Sequence, residues 1–301
     1  LHYPLRRQRQ MCIRDRLSPA LIRAQMIKDE KLFKDLDLSS LRMICTGGEP
    51  WTEKPWKWLF QVIGKSKVPI MNSAGGTEVS GSILHCCLHR PFKVGSFNAP
   101  IPGMSADILN LDGQKVSTNE MGELVMRKSS IGLTKSLWND DKRYIDNYWS
   151  VIEDYWVHGD LASRDADGHW YLHGRSDDTI KVSGKRIGPS ELESVIIKSG
   201  KAKEVAAVGI PDENKGSKII LSIVPAENND QKESFFEDLV IKDLGKSFKP
   251  DKVIFVKDLP KTRNMKIMRR VIKSCLANQD PGDLSTLLNP ESVEEIRSHA
   301  I

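Results

Sequence analysis

The sequence has no long hydrophobic run and few cysteines. None of its apolar stretches approaches the ~18 residues that a membrane-spanning helix needs, so we predict no membrane span. The five cysteines are odd in number, include one adjacent pair and form no Cys-x-x-Cys motif. They are Cys12, Cys45, Cys86, Cys87 and Cys275. This pattern argues against a disulfide framework and favours a reducing, cytoplasmic setting.

The chain also has little net charge once its first residues are set aside. Lysine and arginine total 45 against 40 aspartate and glutamate, which gives a formal charge of +5. Arginines in residues 1–16, opposed there only by Asp15, supply most of that excess. We interpret residues 1–17 as a tail or non-native leader. No aromatic residue interleaves with the basic stretch 261–273, as single-strand binders usually require. We therefore predict that the chain has no nucleic-acid partner. A non-catalytic fragment that binds nucleic acid through phosphates is the less favoured alternative.

The ordered pattern begins at Ser18-Pro19, which is typical of a helix start because proline suits the first helical turn. Short apolar runs at 41–45 and 68–71 predict buried strands, and apolar periodicity over 53–63 predicts a helix between them. Each strand runs into a glycine-rich stretch. The segment therefore predicts an α/β sheet with ligands at the carboxyl ends of its strands.

The pattern changes twice farther along the chain. Residues 94–174 are typical of strands and tight turns, with a hairpin signal at Asp167-Gly168. After a polar boundary, helices are predicted at 190–198, 233–244 and 267–276, and strands at 205–210, 219–224 and 253–256. We thus predict a large-domain portion over 18–176, a small α+β domain over 177–280, and a C-terminal extension over 281–301.

Three segments have the composition of binding sites. The first pairs Thr46-Gly-Gly-Glu-Pro50 with Asn72-Ser-Ala-Gly-Gly-Thr-Glu78, two glycine-rich loops that let backbone approach a base or phosphate and offer a carboxylate to Mg²⁺. The second is Trp156-Val-His-Gly-Asp160, a strand and turn that present a carboxylate suited to the vicinal diol of ribose. The third is the cationic run Pro260-Lys-Thr-Arg-Asn-Met-Lys-Ile-Met-Arg-Arg270.

In this order, the segments resemble the adenylate-forming superfamily, most closely the AMP-forming acyl-CoA synthetases of acetyl-CoA synthetase type. The linker Gly174-Arg-Ser-Asp-Asp-Thr-Ile-Lys-Val-Ser-Gly-Lys-Arg-Ile187, followed by Pro189-Ser-Glu-Leu-Glu193, is the most specific match, and the cationic run is nearly as specific. The resemblance covers about residues 18–278. It implies the C-terminal part of a large AMP-binding domain, followed by a small mobile domain.

The resemblance also implies roles for individual residues. Thr77 would contact phosphate, Glu78 would hold Mg²⁺ against the phosphates of ATP, and Asp160 would accept both ribose hydroxyls. The predicted adenine pocket consists of Gly47, Gly48, Glu49 and Pro50.

In the linker and beyond it, Arg175 would lie beside Asp160, and Asp177 would be the hinge of the small domain. Gly184 would leave room for the thiol of CoA, and Arg186 would contact phosphate. Lys266 would bridge the attacking carboxylate and the α-phosphate during adenylation. Thr77, Glu78 and Lys266 are therefore the predicted catalytic residues.

Three departures from the family pattern qualify this prediction. Met265 stands where family members usually have glycine, so a left-handed backbone there would be strained. Gly75 stands where acetate-selective members carry tryptophan, which predicts that a longer carboxylate is admitted. The family's N-terminal phosphate loop is absent from these 301 residues, so the chain is expected to be truncated and inactive alone.

The function predicted from the sequence is AMP-forming acid–thiol ligation. The chain would activate acetate or another short carboxylate with ATP and transfer the acyl group to CoA. Two alternatives remain open, an adenylating enzyme that loads a carrier-protein phosphopantetheine and a medium-chain acyl-CoA synthetase.

Overall fold

The computed structural model describes residues 16–26, 31–34, 36–227, 230–263 and 265–301. It divides into two units, Leu1–His173 and Gly174–Ile301, with the division a few residues before the predicted boundary at 176. Residues 1–15 of the predicted leader lie outside the described residues. Arg16 and Leu17, also assigned to the leader, instead form a short strand, so that assignment was wrong for these two residues.

The first unit begins with a five-stranded sheet in the order β1-β2-β3-β4-β5. The first three strands are parallel, and the last two join antiparallel. Their bounds are β1 Arg16–Leu17, β2 Ile44–Gly47, β3 Ile70–Gly76, β4 Gly81–His85 and β5 Ala99–Pro100. The parallel pairing confirms the α/β pattern expected for this part of the chain.

Strand β3 extends farther than the sequence predicted. Asn72 to Gly76 were expected to form a loop, yet they lie in the strand, where Gly75 pairs with Ser82 and Gly76 with Gly81. A Cβ on Gly75 would lie 2.1 Å from the carbonyl oxygen of Gly81. Glycine therefore serves here to let two strands approach closely rather than to form a loop.

Four short α-helices lie among the described residues of this unit. They are α1 Pro19–Gln25, α2 Lys31–Lys34, α3 Glu53–Trp58 and α4 Asp141–Tyr144. The hydroxyl of Ser18 accepts a hydrogen bond from the backbone N–H of Leu21, which caps α1 as the Ser-Pro signal predicts. A π-helical turn, Leu59–Ile63, continues α3 through the predicted helix. Trp56, Trp58 and Leu59 pack with Ile44 and Ile70 of the sheet.

A second, four-stranded sheet has the order β6-β7-β8-β9. Its strands are β6 Ala106–Leu109, β7 Gly122–Met126, β8 Trp156–Arg164 and β9 Trp170–Arg175. The predicted hairpin at Asp167-Gly168 is confirmed, since Gly168 donates its N–H to the carbonyl of Asp165 between β8 and β9. The core beside this sheet contains Trp156, Leu124, Met126 and Tyr144.

The second unit opens with a hairpin, β10 Ile180–Val182 and β11 Lys185–Ile187. Its main sheet has the order β12-β13-β14, with bounds Ala202–Asp212, Gly216–Pro225 and Lys252–Phe255. The helices are α5 Pro189–Lys198, α6 Glu233–Leu244, α7 Arg269–Leu276 and α8 Glu291–Arg297. These elements confirm the mixed α/β class predicted for the chain and the small α+β module at its end.

The three-stranded sheet has a helix pair on each face. Successive residues of β12 point to opposite faces, so Val205 and Ala207 pack with α5 and α6, while Ala206 and Val208 pack with α7 and α8. Helix α8 lies in the predicted C-terminal extension. Its residues Val293 and Ile296 are buried in the same cluster as Val271 of α7, so this part of the extension belongs to the small unit's core.

Candidate functional site

The first predicted segment leaves the carboxyl end of β2. Thr46 is 1% exposed; its hydroxyl donates to the side-chain oxygen of Asn72 at 3.2 Å and accepts from the indole N–H of Trp51 at 3.0 Å. Ser73 donates its hydroxyl to the carbonyl of Thr46 at 3.0 Å. The segment is therefore anchored to β3 before its glycines begin.

The two glycines of this segment differ in their surroundings. A Cβ on Gly47 would lie 2.6 Å from the carbonyl oxygen of Ser73, so close packing requires glycine there. Gly48 has φ +99°, and a Cβ on it would meet nothing within 4 Å. Only glycine adopts that backbone without strain. Gly48 thus exposes backbone to open space, which fits the approach of a flat ring such as adenine.

Glu49 and Pro50 complete the segment. The Glu49 carboxylate pairs with Arg23 of α1, with Nη2 to Oε2 at 2.8 Å. Arg23 was not among the residues predicted for the site. No local signal links residues 26 positions apart in sequence, so only the fold could reveal this pair.

Thr77 and Glu78 lie in the 3-10 turn Thr77–Val79, directly after β3. The backbone N–H of Thr134 donates to the Glu78 carbonyl at 2.7 Å. A Cβ on Gly132 would lie 2.5 Å from the carbonyl oxygen of Val79. The segment around residues 132–134 therefore packs tightly against the turn and fixes its backbone.

Asp160 was predicted to follow a strand in a Gly-Asp turn, and this prediction was wrong. It lies inside β8, where the pairing with β7 shifts from Val125↔Val157 to Glu123↔Leu161. Gly159 in this irregular stretch has φ +80°. A bulge of this kind bends the strand and re-aims its side chains, so the Asp160 carboxylate is presented from within the sheet.

His158 links the predicted nucleotide residues of the first unit. Its Nε2 lies 3.2 Å from Oδ2 of Asp160. A Cβ on Gly76 would lie 3.1 Å from Cε1 of His158 and 3.0 Å from Oε2 of Glu78. Asp160, His158 and Glu78 thus converge around Gly76. His158 lies within the predicted segment 156–160 but had no predicted role.

The carboxylates of Glu78 and Asp160 could hold Mg²⁺ only together with ligands from other molecules. No group of three or more His, Cys, Asp or Glu residues that could hold a metal ion occurs among the described residues. Magnesium is usually held by one or two carboxylates plus substrate phosphates and water. The half-buried Glu78 matches that arrangement.

In the second unit, Arg175 and Asp177 form an ion pair, with Nε to Oδ1 at 3.1 Å. The Asp177 side chain is 71% exposed, so it can move readily. Burial raises the pKa of the neighbouring Asp178 carboxyl above its ordinary value, and the charge of Asp177 adds to that rise, while Arg269 opposes it. The segment predicted to be a hinge therefore carries one solvated and one desolvated carboxyl.

Gly184 and Arg186 lie in the β10–β11 hairpin. Ser183 has φ +49° and Gly184 φ +80°, as in the tight turns that join twisted strands. A Cβ on Gly184 would meet nothing within 4 Å, so the turn is open to an approaching group. Arg186 pairs with Lys181 across the hairpin and is exposed.

Lys266 lies in a tight loop before α7. Thr262 donates its N–H to the carbonyl of Lys266 at 2.9 Å, and Lys266 donates its N–H to the hydroxyl of Thr262 at 3.2 Å. Met265 has φ +64°, the left-handed backbone that would favour glycine. The Lys266 side chain is exposed, and it lies on a different element from Gly184.

Lys261, at the base of the same loop, is buried. Its Nζ lies 2.6 Å from carboxylate oxygens of both Glu204 and Asp258. Burial lowers the pKa of Lys261, but hydrogen bonds to Asp258 and Glu204 outweigh that effect and raise it above the ordinary value. The two lysines of the run therefore differ: Lys261 anchors the loop, and Lys266 extends from it.

Two family models match this chain. The model described as AMP-binding enzyme matches residues 16–138, and the one described as AMP-binding enzyme C-terminal domain matches residues 191–266. The chain therefore contains the two regions of AMP-binding enzymes, in the order that the resemblance implies.

Curated relatives and solved structures agree with these two matches. The chain is 36% identical to the acetyl-coenzyme A synthetase of Pasteurella multocida and 37% identical to that of Helicobacter pylori, in each case over 93% of this chain and 44% of the relative. It therefore spans less than half the length of these relatives.

The acetoacetyl-CoA synthetase of Streptomyces lividans has the same fold, with TM-score 0.79 and 23% identity over 94% of this chain and 44% of that one. The anthranilate CoA ligase AuaEII, in complex with anthranoyl-AMP, aligns with TM-score 0.70 and 26% identity over 84% of this chain and 48% of that one.

Among the described residues, no helix has the length and hydrophobicity of a membrane span.

Proposed function

We propose that this chain supplies part of an AMP-forming acyl-CoA ligase that acts on acetate or another short carboxylate. The observation that carries the proposal is the convergence of Glu78 and Asp160 on His158 and Gly76 in the first unit. One acidic group lies on a turn and the other within a sheet, which suits a nucleotide with a phosphate end and a ribose diol. The acetyl-coenzyme A synthetase relatives give the reaction class.

The reaction has two steps, because a carboxylate is a poor electrophile. In the first, a carboxylate oxygen attacks the α-phosphorus of ATP, the bond to pyrophosphate breaks, and an acyl-adenylate forms. In the second, the thiolate of CoA attacks the acyl carbon and AMP leaves. Negative charge gathers at the phosphoryl centre in the first step, so cationic groups stabilise its transition state.

The residues divide between these tasks. Gly48 exposes backbone to the base, Asp160 accepts the ribose hydroxyls, and Thr77 donates to phosphate. Glu78 would hold Mg²⁺, which neutralises phosphate charge when it is bound. These assignments rest on the geometry of the first unit together with the resemblance of the motifs.

Residues of the second unit serve the acyl group and the thiol. Lys266 donates to the attacking carboxylate and the α-phosphate during adenylation, and Arg175 and Arg186 bind the nucleotide. The open turn at Gly184 admits the thiol of CoA. Asp177, solvated and adjacent to the division between the units, is the proposed hinge.

The test measures both steps in the product of the complete reading frame and, in parallel, in the 301-residue chain. We expect carboxylate-dependent release of pyrophosphate from the complete product and none from the chain alone, which lacks the phosphate loop. No release with any straight-chain acid from acetate to octanoate would contradict the proposal. The acid that gives the highest kcat/KM identifies the substrate and separates short from medium chains.

Variants separate the two steps. Lys266→Ala is expected to abolish pyrophosphate release but to leave acyl transfer from supplied acetyl-AMP to CoA intact. Lys273→Ala is the control, since this exposed lysine on α7 has no proposed role. If the acyl group of acetyl-AMP reaches a phosphopantetheine carrier protein but not CoA, the carrier-loading alternative replaces the present proposal.

The reducing, cytoplasmic setting stays a prediction; the cysteines within the described residues are all free thiols.

A further inference from the structure

Lys266 lies in a short hairpin of the second unit, which we call the lysine hairpin. Residues 260–263 form its first side and residues 265–268 its second, and Lys261 pairs with Ile267 in an antiparallel bridge between them. An isolated two-stranded hairpin is only marginally stable in water. The position of the lysine therefore depends on what else holds the two sides.

The predicted C-terminal extension adds a third segment to this hairpin. Leu287 pairs with Thr262 in an antiparallel bridge, and the N–H of Leu288 donates to the carbonyl of Lys261 at 2.8 Å. Leu287 and Ile267 also pack against the same apolar cluster of α7 and α8. The first side of the lysine hairpin thus has a backbone partner on each of its edges.

The side chain of Asn289 completes this pairing. Its Oδ1 accepts the N–H of Lys261 at 3.0 Å, and its Nδ2 donates to the carbonyl of Leu259 at 2.8 Å and to Oδ2 of Asp258 at 2.7 Å. The amide therefore uses its acceptor and both of its donor hydrogens. Asn289 is only 6% exposed, so its removal would leave several buried groups unpaired.

The Asp258 carboxylate extends this contact into the sheet. While its Oδ2 accepts the hydrogen bond from Asn289, its Oδ1 lies 2.6 Å from Nζ of Lys261. The same ammonium lies 2.6 Å from Oε2 of Glu204 on β12. Hydrogen bonds between charged groups in such a buried place are strong. Both the backbone and the side chain of Lys261 are thus fixed, five residues before Lys266.

The extension also contacts the chain directly after the lysine hairpin. Arg270, in the first turn of α7, donates from Nη2 to the carbonyl of Asp283 at 2.7 Å and from Nη1 to the carbonyl of Pro281. Arg270 is exposed, whereas Asn289 is buried. The extension therefore holds both ends of the hairpin, and Asn289 is its buried anchor.

We propose that Asn289 is a positioning residue for Lys266. It fixes the first side of the lysine hairpin, so that the exposed lysine extends from a rigid base. This inference rests on the proposed function, in which Lys266 acts during adenylation. A cation stabilises the phosphoryl transition state only in the right place, and a displacement of about 1 Å can cost about 100-fold in rate. Acyl transfer to CoA does not use Lys266, so it should not depend on Asn289.

Two substitutions test this amide, and a third controls for stability. Asn289→Ala removes all three hydrogen bonds. Asn289→Asp keeps an acceptor for the N–H of Lys261 but sets a second carboxylate against Asp258, which tests the donor separately. Val293→Ala is the matched control. Val293 lies in the same extension and is buried, and its truncation opens a cavity in the cluster of α7 and α8 without removing a hydrogen bond of the hairpin.

The experiment measures both half-reactions in the product of the complete reading frame. We expect Asn289→Ala to lower kcat for carboxylate-dependent pyrophosphate release about 10- to 100-fold, while acyl transfer from supplied acetyl-AMP to CoA keeps the wild-type rate. Asn289→Asp should also slow pyrophosphate release alone. Val293→Ala should keep both rates, even where its unfolding temperature falls as far as that of Asn289→Ala. A merely structural role of Asn289 would slow both steps equally.

The outcomes separate this inference from the proposed function. If Lys266→Ala abolishes pyrophosphate release but Asn289→Ala leaves it unchanged, or slows both steps equally, the inference is overturned and the role of Lys266 stands. If Lys266→Ala releases pyrophosphate at the wild-type rate, the proposed role of that lysine fails and the inference fails with it. No release from wild type contradicts the proposed function itself.

A second readout needs no substrate. Hydrogen exchange of the amides in 261–263 and 265–268 should be faster in Asn289→Ala than in Val293→Ala, because only the first substitution removes a hydrogen bond of the hairpin. Equal exchange in the two variants overturns the positioning contact by itself.

Discussion

Arg269 donates two parallel hydrogen bonds to the carboxylate of Glu193. Nε lies 2.9 Å from Oε1, and Nη2 lies 2.7 Å from Oε2. Oε1 of Glu193 also accepts the backbone N–H of Ala207 at 3.0 Å. Because Arg269 begins α7 directly after the loop of Lys266, this pair ties the lysine loop to α5 and to β12.

Loss of that pair should loosen the small unit. The two side chains are only 24% and 13% exposed, so removal of one partner leaves the other partly desolvated. We expect Arg269→Met to lower the free energy of unfolding by about 2 to 3 kcal/mol, and the double variant with Glu193→Gln to lose less than the sum of the singles. Hydrogen exchange of residues 174–301 measures this loss. Asp230→Asn, at an exposed and longer ion pair, is the control and should leave exchange unchanged.

Met265 should be replaceable by glycine with a gain in stability. A left-handed residue with a side chain costs about 1–2 kcal/mol, and the extra chain entropy of glycine offsets about 0.5–1 kcal/mol of that. We therefore expect Met265→Gly to raise the free energy of unfolding by about 0.5 to 1 kcal/mol. Met268→Gly, at φ −93°, should destabilise the same unit. Equal losses from both substitutions, seen by urea unfolding, would show that residue 265 is not strained.

Gly75 should tolerate no side chain. A Cβ there would lie 2.1 Å from the carbonyl oxygen of Gly81 and 2.5 Å from Cα of Ser82, so β3 and β4 would have to separate. We expect Gly75→Ala to destabilise the first unit by about 2 to 3 kcal/mol, as overpacking typically does, and Gly75→Trp to disrupt the strand pairing. Gly81→Ala is the matched control, because its Cβ would meet nothing within 4 Å. Urea unfolding of the three variants decides this, and equal stability of the two alanine variants would refute the close approach.

Asp178 should lower the stability of the second unit at neutral pH. Its carboxyl pKa lies above the ordinary 3.8, mainly because burial disfavours the charged form. A raised carboxyl pKa gives stability that is present below the unfolded value and is lost as the pH rises through the folded value. Asp178→Asn should thus exceed wild type in stability at neutral pH, and the difference should shrink as the pH falls towards 3.8.

The control for this pH effect is the neighbouring residue. Asp177 is well solvated and pairs only weakly with Arg175, so Asp177→Asn should bring no gain at neutral pH. Urea unfolding at several pH values, followed by hydrogen exchange of residues 174–301, measures both variants. A constant difference between Asp178→Asn and wild type across that range would contradict the prediction.

Where apolar spacing was strong, the sequence predicted the fold closely. Helix α6 was predicted at 233–244 and has those bounds, with Phe236 and Val240 buried one turn apart and Gly245 at φ +93° ending it. Local spacing and a terminating glycine suffice there, because both signals come from neighbouring residues. The strand predicted at 41–45 instead spans Ile44–Gly47, so the first glycine-rich segment begins inside β2 and continues past its end.

Where partners are distant in sequence, the prediction failed. Gly75 and Gly76 indicated a loop because glycine runs usually do, yet their pairing with β4 makes them strand. The polar stretch 174–181 was interpreted as a boundary and no hairpin was predicted after it, although buried Ile180, Val182 and Ile187 alternate around Ser183-Gly184. That alternation is a signal that could have found it. The contacts of His158 and Arg23 have no comparable signal, because they depend on the packing of separate strands and helices.

The division into two units at His173 has an optical consequence. All seven tryptophans and all five tyrosines occur before residue 174, and the ring of Trp156 lies beside that of His158, with centroids 5.5 Å apart. Intrinsic emission therefore reports on the first unit alone, and a nucleotide that meets Asp160 should perturb it. Residues 174–301 contain no tryptophan or tyrosine, so the second unit contributes little to the emission. Phe255→Trp, at a position partly buried against the core of that unit, would give it a fluorescent reporter and allow its unfolding to be followed independently.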